Sequence, residues 1–141
     1  MSQINVNTLV DEAGTGSPAF PNGLTIDALT LESAVAGTVD TNVTVTGSTT
    51  LDFTTNQNFV LTLTGDVTLA NPTTEQVGQS GFIVFIQDGT GSRTVSLGTE
   101  YKTAGAVGLA LSTDASAIDV VPYIVSASGS ILLGAPQLAF A

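Results

Sequence analysis

General acid–base and nucleophilic catalysis draw on a short menu of side chains, and this chain lacks the two used most. It has no His and no Cys. That removes the imidazole base, the Ser-His-Asp and Cys-His nucleophile systems, imidazole and thiolate metal sites, and disulfides. Paired carboxylates remain, as in glycosidases, where two acids must face each other across the bond being cut. Here the acids occur singly. Asp40, Asp66, Glu75, Asp88 and Asp114 fall at expected turns, where a carboxylate accepts hydrogen bonds from the turn backbone. No catalytic residue is expected, and the chain reads as non-enzymatic.

Two stretches, Gly14-Thr15-Gly16 and Gly89-Thr90-Gly91, have the composition of phosphate loops. A glycine-rich turn binds phosphate when it leads into a helix N-terminus with oriented N–H groups, and neither stretch is followed by helical spacing or a Gly-Lys-Ser/Thr signature. Both read as turns. Asp88-Gly-Thr-Gly-Ser92 resembles half of a calcium loop but lacks the alternating carboxylates and terminal Glu. As a hairpin turn between Phe82–Ile86 and Thr94–Leu97 it needs no ion. Asn42-Val-Thr44 matches a glycosylation acceptor, but the start Met1-Ser-Gln-Ile-Asn5 has no basic region followed by an apolar run to direct secretion. Tyr101 and Lys102, with Phe59, Phe82, Phe85 and Tyr123, have the makings of a sugar-stacking set. Without any Trp, they read as core and rim. No cofactor and no metal is expected.

Twelve Asp and Glu stand against Arg93 and Lys102, a formal net charge of -10 at pH 7. A phosphate backbone is bound by a basic stripe that displaces its counterions, so nucleic acid is not an expected partner. An acidic surface keeps a protein soluble and suits a basic partner. No apolar stretch approaches the ~20 residues of a membrane span, so no membrane partner is expected either. With 43% hydrophobic residues in 141, the chain suffices for one domain with its own core.

The elements that must position these residues are strands. Apolar residues recur at a spacing of two, as in Leu24 and Ile26, Val43 and Val45, Phe59 to Leu63, Phe82 to Ile86, and Val95 and Leu97. Gly, Asn, Asp and Pro punctuate the runs. These are expected to be half-buried strands with one face inward. Ile118 to Val125, the turn Ser128-Gly129-Ser130 and Ile131 to Leu133 read as a hairpin, with Pro122 at an edge or bulge because it has no N–H for a ladder. Residues 104–111 suit a loop or one short helical turn. Val43-Thr-Val-Thr-Gly-Ser-Thr-Thr-Leu51 repeats as Leu61-Thr-Leu-Thr-Gly-Asp-Val-Thr-Leu69. Two copies fall short of the about three that a solenoid needs, and successive hairpins are the preferred reading. The expected fold is all-β, an antiparallel β-sandwich or jelly-roll-like domain over residues 24–141, behind an extended N-terminal arm of residues 1–23. Ile4, Val6 and Leu9 in that arm, Phe20 where it closes, and Leu138 and Phe140 at the far end are the candidate interface residues.

Several blocks carry a family resemblance. Asn58-Phe-Val-Leu-Thr-Leu-Thr-Gly-Asp-Val-Thr-Leu-Ala-Asn-Pro-Thr73, Gly78-Gln-Ser-Gly81, Gln87 through Ser96, and Ala117-Ile-Asp-Val-Val-Pro-Tyr123 together resemble a module of tailed-bacteriophage structural proteins, notably from marine and cyanobacterial phages. The likeness spans roughly residues 42 to 141. The opening, Ile4-Asn-Val-Asn-Thr-Leu9 through Phe20-Pro-Asn-Gly-Leu24, is similar to the start of phage tail-fibre and virion-surface proteins, where it implies attachment. The resemblance brings no catalytic residues. The sequence ends directly after the shared module, which leads to the expectation of a self-contained surface component rather than a receptor reader.

Three functions from different classes follow. The leading expectation is a capsid decoration or cement protein on the outside of the phage head, a homotrimer bridging the major capsid protein and stabilising the shell by linkage. The alternative is a tail-fibre, tail-tip or adaptor subunit whose partners are tail proteins. A sugar-binding or depolymerase module comes third. The first two place the protein in the virion, on its outer surface, after synthesis in the host cytoplasm.

Overall fold

In the computed structural model, residues 36–140 are described, so the expected boundary between residues 23 and 24, and Ile4, Val6, Leu9 and Phe20, lie outside them. Eight strands follow one another: β1 (Val39–Thr49), β2 (Asn58–Leu69), β3 (Ser80–Gln87), β4 (Val95–Leu97), β5 (Tyr101–Thr103), β6 (Ile118–Ala127), β7 (Ser130–Leu133) and β8 (Gln137–Phe140). Among the described residues one 3₁₀ turn, Ala104–Ala106, falls within the segment expected to be a loop or short helical turn. The all-β expectation is met. The pairing is mixed: β1, β2 and β3 are parallel neighbours, and β4 joins β2 in parallel. β3, β6 and β7 form the antiparallel part, with β8 on β6 and β5 parallel to β7 at the far edge.

The repeat explains the parallel half. Val43 and Val45 lie beside Leu61 and Leu63, so the two copies stack as rungs rather than forming the hairpins expected from sequence. The chain returns to the same end of the sheet through residues 50–57 and 70–79, which is what a parallel pair demands. Each rung then turns a corner. The corner takes residue 46 in β1, residues 64–66 in β2, and residues 88–94 in the third rung, where it separates β3 from β4. Past the corner Thr49 meets Leu69, a slip of two residues from the sequence match, which keeps every side chain on its face because the strand period is two. The Asp88–Ser92 stretch is therefore a corner between strands that both pair with β2. It is not the expected hairpin turn. Corner backbones bond rung to rung, as Asp88 N–H to the Leu63 carbonyl at 3.2 Å and Val67 N–H to that of Thr94 at 2.9 Å.

Inward positions of seven strands and of the β1–β2 connection meet in one apolar cluster. Phe59, Leu61 and Leu63 of β2, Ile83 and Phe85 of β3, and Val121 and Val125 of β6 are almost completely enclosed. Each such side chain contributes about 1.5–3 kcal/mol by leaving water. At one end Phe53 packs on Phe59 with ring centroids 5.1 Å apart and edge-on against Tyr123 at 5.4 Å. The Tyr123 hydroxyl donates to the Gln57 carbonyl at 2.6 Å, which lets a phenol sit in this core.

Pro122 departs from the expected edge or bulge, since β6 is central, with β3 on one side and β7 and β8 on the other. Its carbonyl accepts from Gly134 N–H at 2.8 Å, so its own nitrogen faces the passage from β7 to β8, between the residues that pair with those two strands. The β6–β7 hairpin around Gly129 forms as expected.

Candidate functional site

Most of the acids singled out in the sequence hold the backbone. Asp88 Oδ1 accepts from the backbone N–H groups of Thr90 and Gly91, each at 2.9 Å. Arg93 closes on the same carboxylate, Nη2 to Oδ2 at 2.8 Å and Nε to Oδ2 at 3.2 Å. The Arg93 hydrogen bonds, then the Gly91 amide, draw the Asp88 carboxyl down from 3.8 to about 2. Buried Gln87 braces this corner, donating to the Arg93 and Ser112 carbonyls and accepting from Arg93 N–H, each at 2.9 Å. Asp66 Oδ1 takes both the N–H and the hydroxyl of Thr94 at 2.9 Å, and these bonds hold its carboxyl below the usual range. A calcium ion at Asp88 would have to displace Arg93. Asp40 departs from its expected turn and lies in β1. Among the described residues no group of three or more His, Cys, Asp or Glu is placed to hold a metal ion.

A hollow of about 700 Å³ lies over β4 and β5, with Val95, Leu97, Tyr101, Lys102 and Val107 among its lining. Burial, followed by the nearby Glu100 charge, pushes the Tyr101 hydroxyl well above its ordinary value. Lys102 Nζ donates to the Thr99 carbonyl at 3.1 Å. A neutral phenol, one ammonium and apolar walls can hold an apolar group. The residues named for sugar stacking do not converge: Phe59, Phe85, Tyr101 and Tyr123 are in the core, and Phe82 alone of that set of aromatics is exposed.

Phe82 belongs to the feature with the clearest capacity to bind. Both faces of β3 and β6 are apolar, not one as expected. On the outer face Phe82 stands opposite Pro122, Val84 opposite Val120, Ile86 opposite Ile118, and, one strand further, Ile124 opposite Leu132. Phe82 is 49% exposed, Ile124 46% and Leu132 42%. The outward positions of β3, β6 and β7 carry no charged residue. Phe140 is paired with Ile118 and extends one row of this face onto β8; it is 49% exposed, and Leu138 is 52%. Of the candidate interface residues, the structure therefore joins Phe140 to a larger surface that the sequence reading missed. The signal was present in the unbroken runs Phe82-Ile-Val-Phe-Ile86 and Val120-Val-Pro-Tyr-Ile-Val125, since strands covered on both sides lose the apolar–polar alternation.

Residues 49–130 match the family described as "Putative phage tail fibre C-terminal domain". The chain belongs to this family. It is accordingly a phage structural protein, a component of the virion, with a tail-fibre-type module. No curated relative and no solved structure matches the chain. The tail-fibre module, as matched, contains β2 through β6, with the third-rung corner and the outer faces of β3 and β6. Leu138 and Phe140 of β8 lie beyond it.

Proposed function

We propose that this protein is a non-enzymatic building block of a phage tail fibre, in which the β-domain is a structural unit and the fibre is assembled from several copies. The observation that carries the reading is the family match over residues 49–130, which favours the tail over the capsid decoration role expected first from sequence. The geometry agrees with a passive part. Asp66 and Asp88 hold corner backbone and side chains, the Asp88 charge is met by Arg93, and the free binding capacity is an uncharged apolar face. Assembly as a homotrimer on the outer surface of the particle, with tail proteins as neighbours and neither nucleic acid nor membrane as partner, completes the proposal.

The test is location. Purified particles are disrupted, heads and tails are separated on a gradient, and the protein is followed by peptide mass spectrometry and by labelled antibody under the electron microscope. The expected result is label on fibres and peptide in the tail fraction. Label spread over the head lattice would overturn the tail reading and restore decoration of the major capsid protein.

A further inference from the structure

We infer that the outer face of β3, β6 and β7 is the surface by which one copy of this chain packs against another. This deepens the fibre reading and rests on it for the presence of neighbouring copies. The choice of face rests on chemistry alone.

Two properties of the face select a second copy as its occupant. The first is charge. The chain carries -10 overall, yet no carboxylate and no cation projects from the outward positions of these three strands. A basic partner, the natural complement of the rest of the chain, would find nothing to pair with here and would bury its cations unpaired. Two acidic chains repel across most surfaces, and this face is one at which they can close without setting carboxylate against carboxylate. The second is shape. A closed assembly of identical chains requires each to supply both a projection and its receptor. Phe82 projects from β3, and beside it on β6 and β7 lies a shallow hollow of about 330 Å³ lined by Pro122, Ile124, Leu132 and Gly134. An apolar ring presented by a second copy, as Phe82 is, can lie against this open hollow. Contiguous exposed apolar surface of this kind marks an interaction site rather than ordinary surface.

The experiment reads the solution mass of the full chain by light scattering. The wild type is expected at a defined multiple of the 14.2 kDa chain, and Ile124→Asp and Leu132→Asp each at the mass of one chain. Circular dichroism and the melting curve show whether the domain is still folded. Because the chain has no Cys, Phe82→Cys and Leu132→Cys combined give a second readout: mild oxidation should link chains through the face, while Thr54→Cys, exposed in the β1–β2 connection, should not. A wild type that stays monomeric at its highest soluble concentration overturns the inference. So does an oligomer that survives Ile124→Asp in a folded protein, or equal cross-linking from the Thr54 control. If an Asp variant does not fold, the cysteine pair decides. Protein located in tails yet monomeric would defeat this inference alone, whereas an oligomer built on this face but located on heads would defeat the fibre reading alone.

Discussion

The carboxylate of Asp119 holds the backbone N–H of Ala139 at 2.8 Å across the join between β6 and β8. Ala139 has φ of 56°, in the left-handed region that a side chain disfavours. All four residues of β8 are exposed, so little apolar burial keeps the strand in place. Asp119 is itself almost fully buried, and it also accepts the Ser112 N–H at 2.6 Å and hydroxyl at 2.7 Å. One side chain thus ties β8 and the segment before β6 to a central strand.

Asp119→Ala should cost about 2–4 kcal/mol, since it strands several donors at once. The loss should be local as well as global. Amide exchange at Ala139 and Ser112 should accelerate by more than that of Val121 in the same strand. Equal acceleration at all three would mean that Asp119 acts on overall stability and does not anchor β8.

Gly91 has φ of +76°, and a Cβ there would run into the Thr113 carbonyl. Gly91→Ala should therefore destabilise by about 1–2 kcal/mol from the backbone conformation alone, with more from the close approach. Gly89, in the same corner, has open space where a Cβ would go and no positive φ. Gly89→Ala should leave the urea midpoint nearly unchanged. A reversed order would show that the corner is held in some other conformation.

Asp52, Asp66, Glu75 and Asp88 all have carboxyls lowered by hydrogen bonds, Asp88 to about 2. A carboxyl lowered on folding stabilises the native state fully above its unfolded value. That contribution fades as pH falls through the folded value. Melting temperature should hold steady above about pH 5 and decline between about pH 4 and 2. The Arg93→Ala variant should return the Asp88 carboxyl toward 3.8, measurable by NMR titration of its side-chain carbon. Tyr123, raised by burial to about 12, has the opposite sign: its contribution is whole below about pH 10 and is lost as pH rises toward 12. An acid limb that stays flat down to pH 2 would rule out the corner carboxylates as contributors.

Phe59 and Phe82 belong to neighbouring strands and to opposite sides of the sheet. Phe59→Ala should cost about 3–5 kcal/mol, as expected for an enclosed aromatic. Phe82→Ser should change the stability of an isolated chain by roughly 0.5 kcal/mol or less. Denaturant curves at low protein concentration check both, and a large cost at Phe82 would mean that its ring is covered within one chain.

Strand periodicity, the Ser128–Ser130 hairpin turn and the burial of Leu61 and Leu63 were all legible in the order of residues, because a period of two and turn chemistry are local properties. The lack of His and Cys, the excess of acid and the blocks shared with phage structural proteins were equally plain. Partner choice among strands was not local. Val43 beside Leu61 reads the same in a hairpin series as in a stack of rungs, and the decision fell to the return paths and to corners of unequal length at residues 46, 64–66 and 88–94. Pro122 looked like an edge residue because the residue type reports a missing donor and is silent about what lies opposite it; the gap between β7 and β8 supplied the answer. The tertiary structure likewise decided that Phe82, Ile124 and Leu132 form one uncharged face. Hydrophobicity tells which residues leave water, while only the packed fold tells which of them its own core has no room to cover.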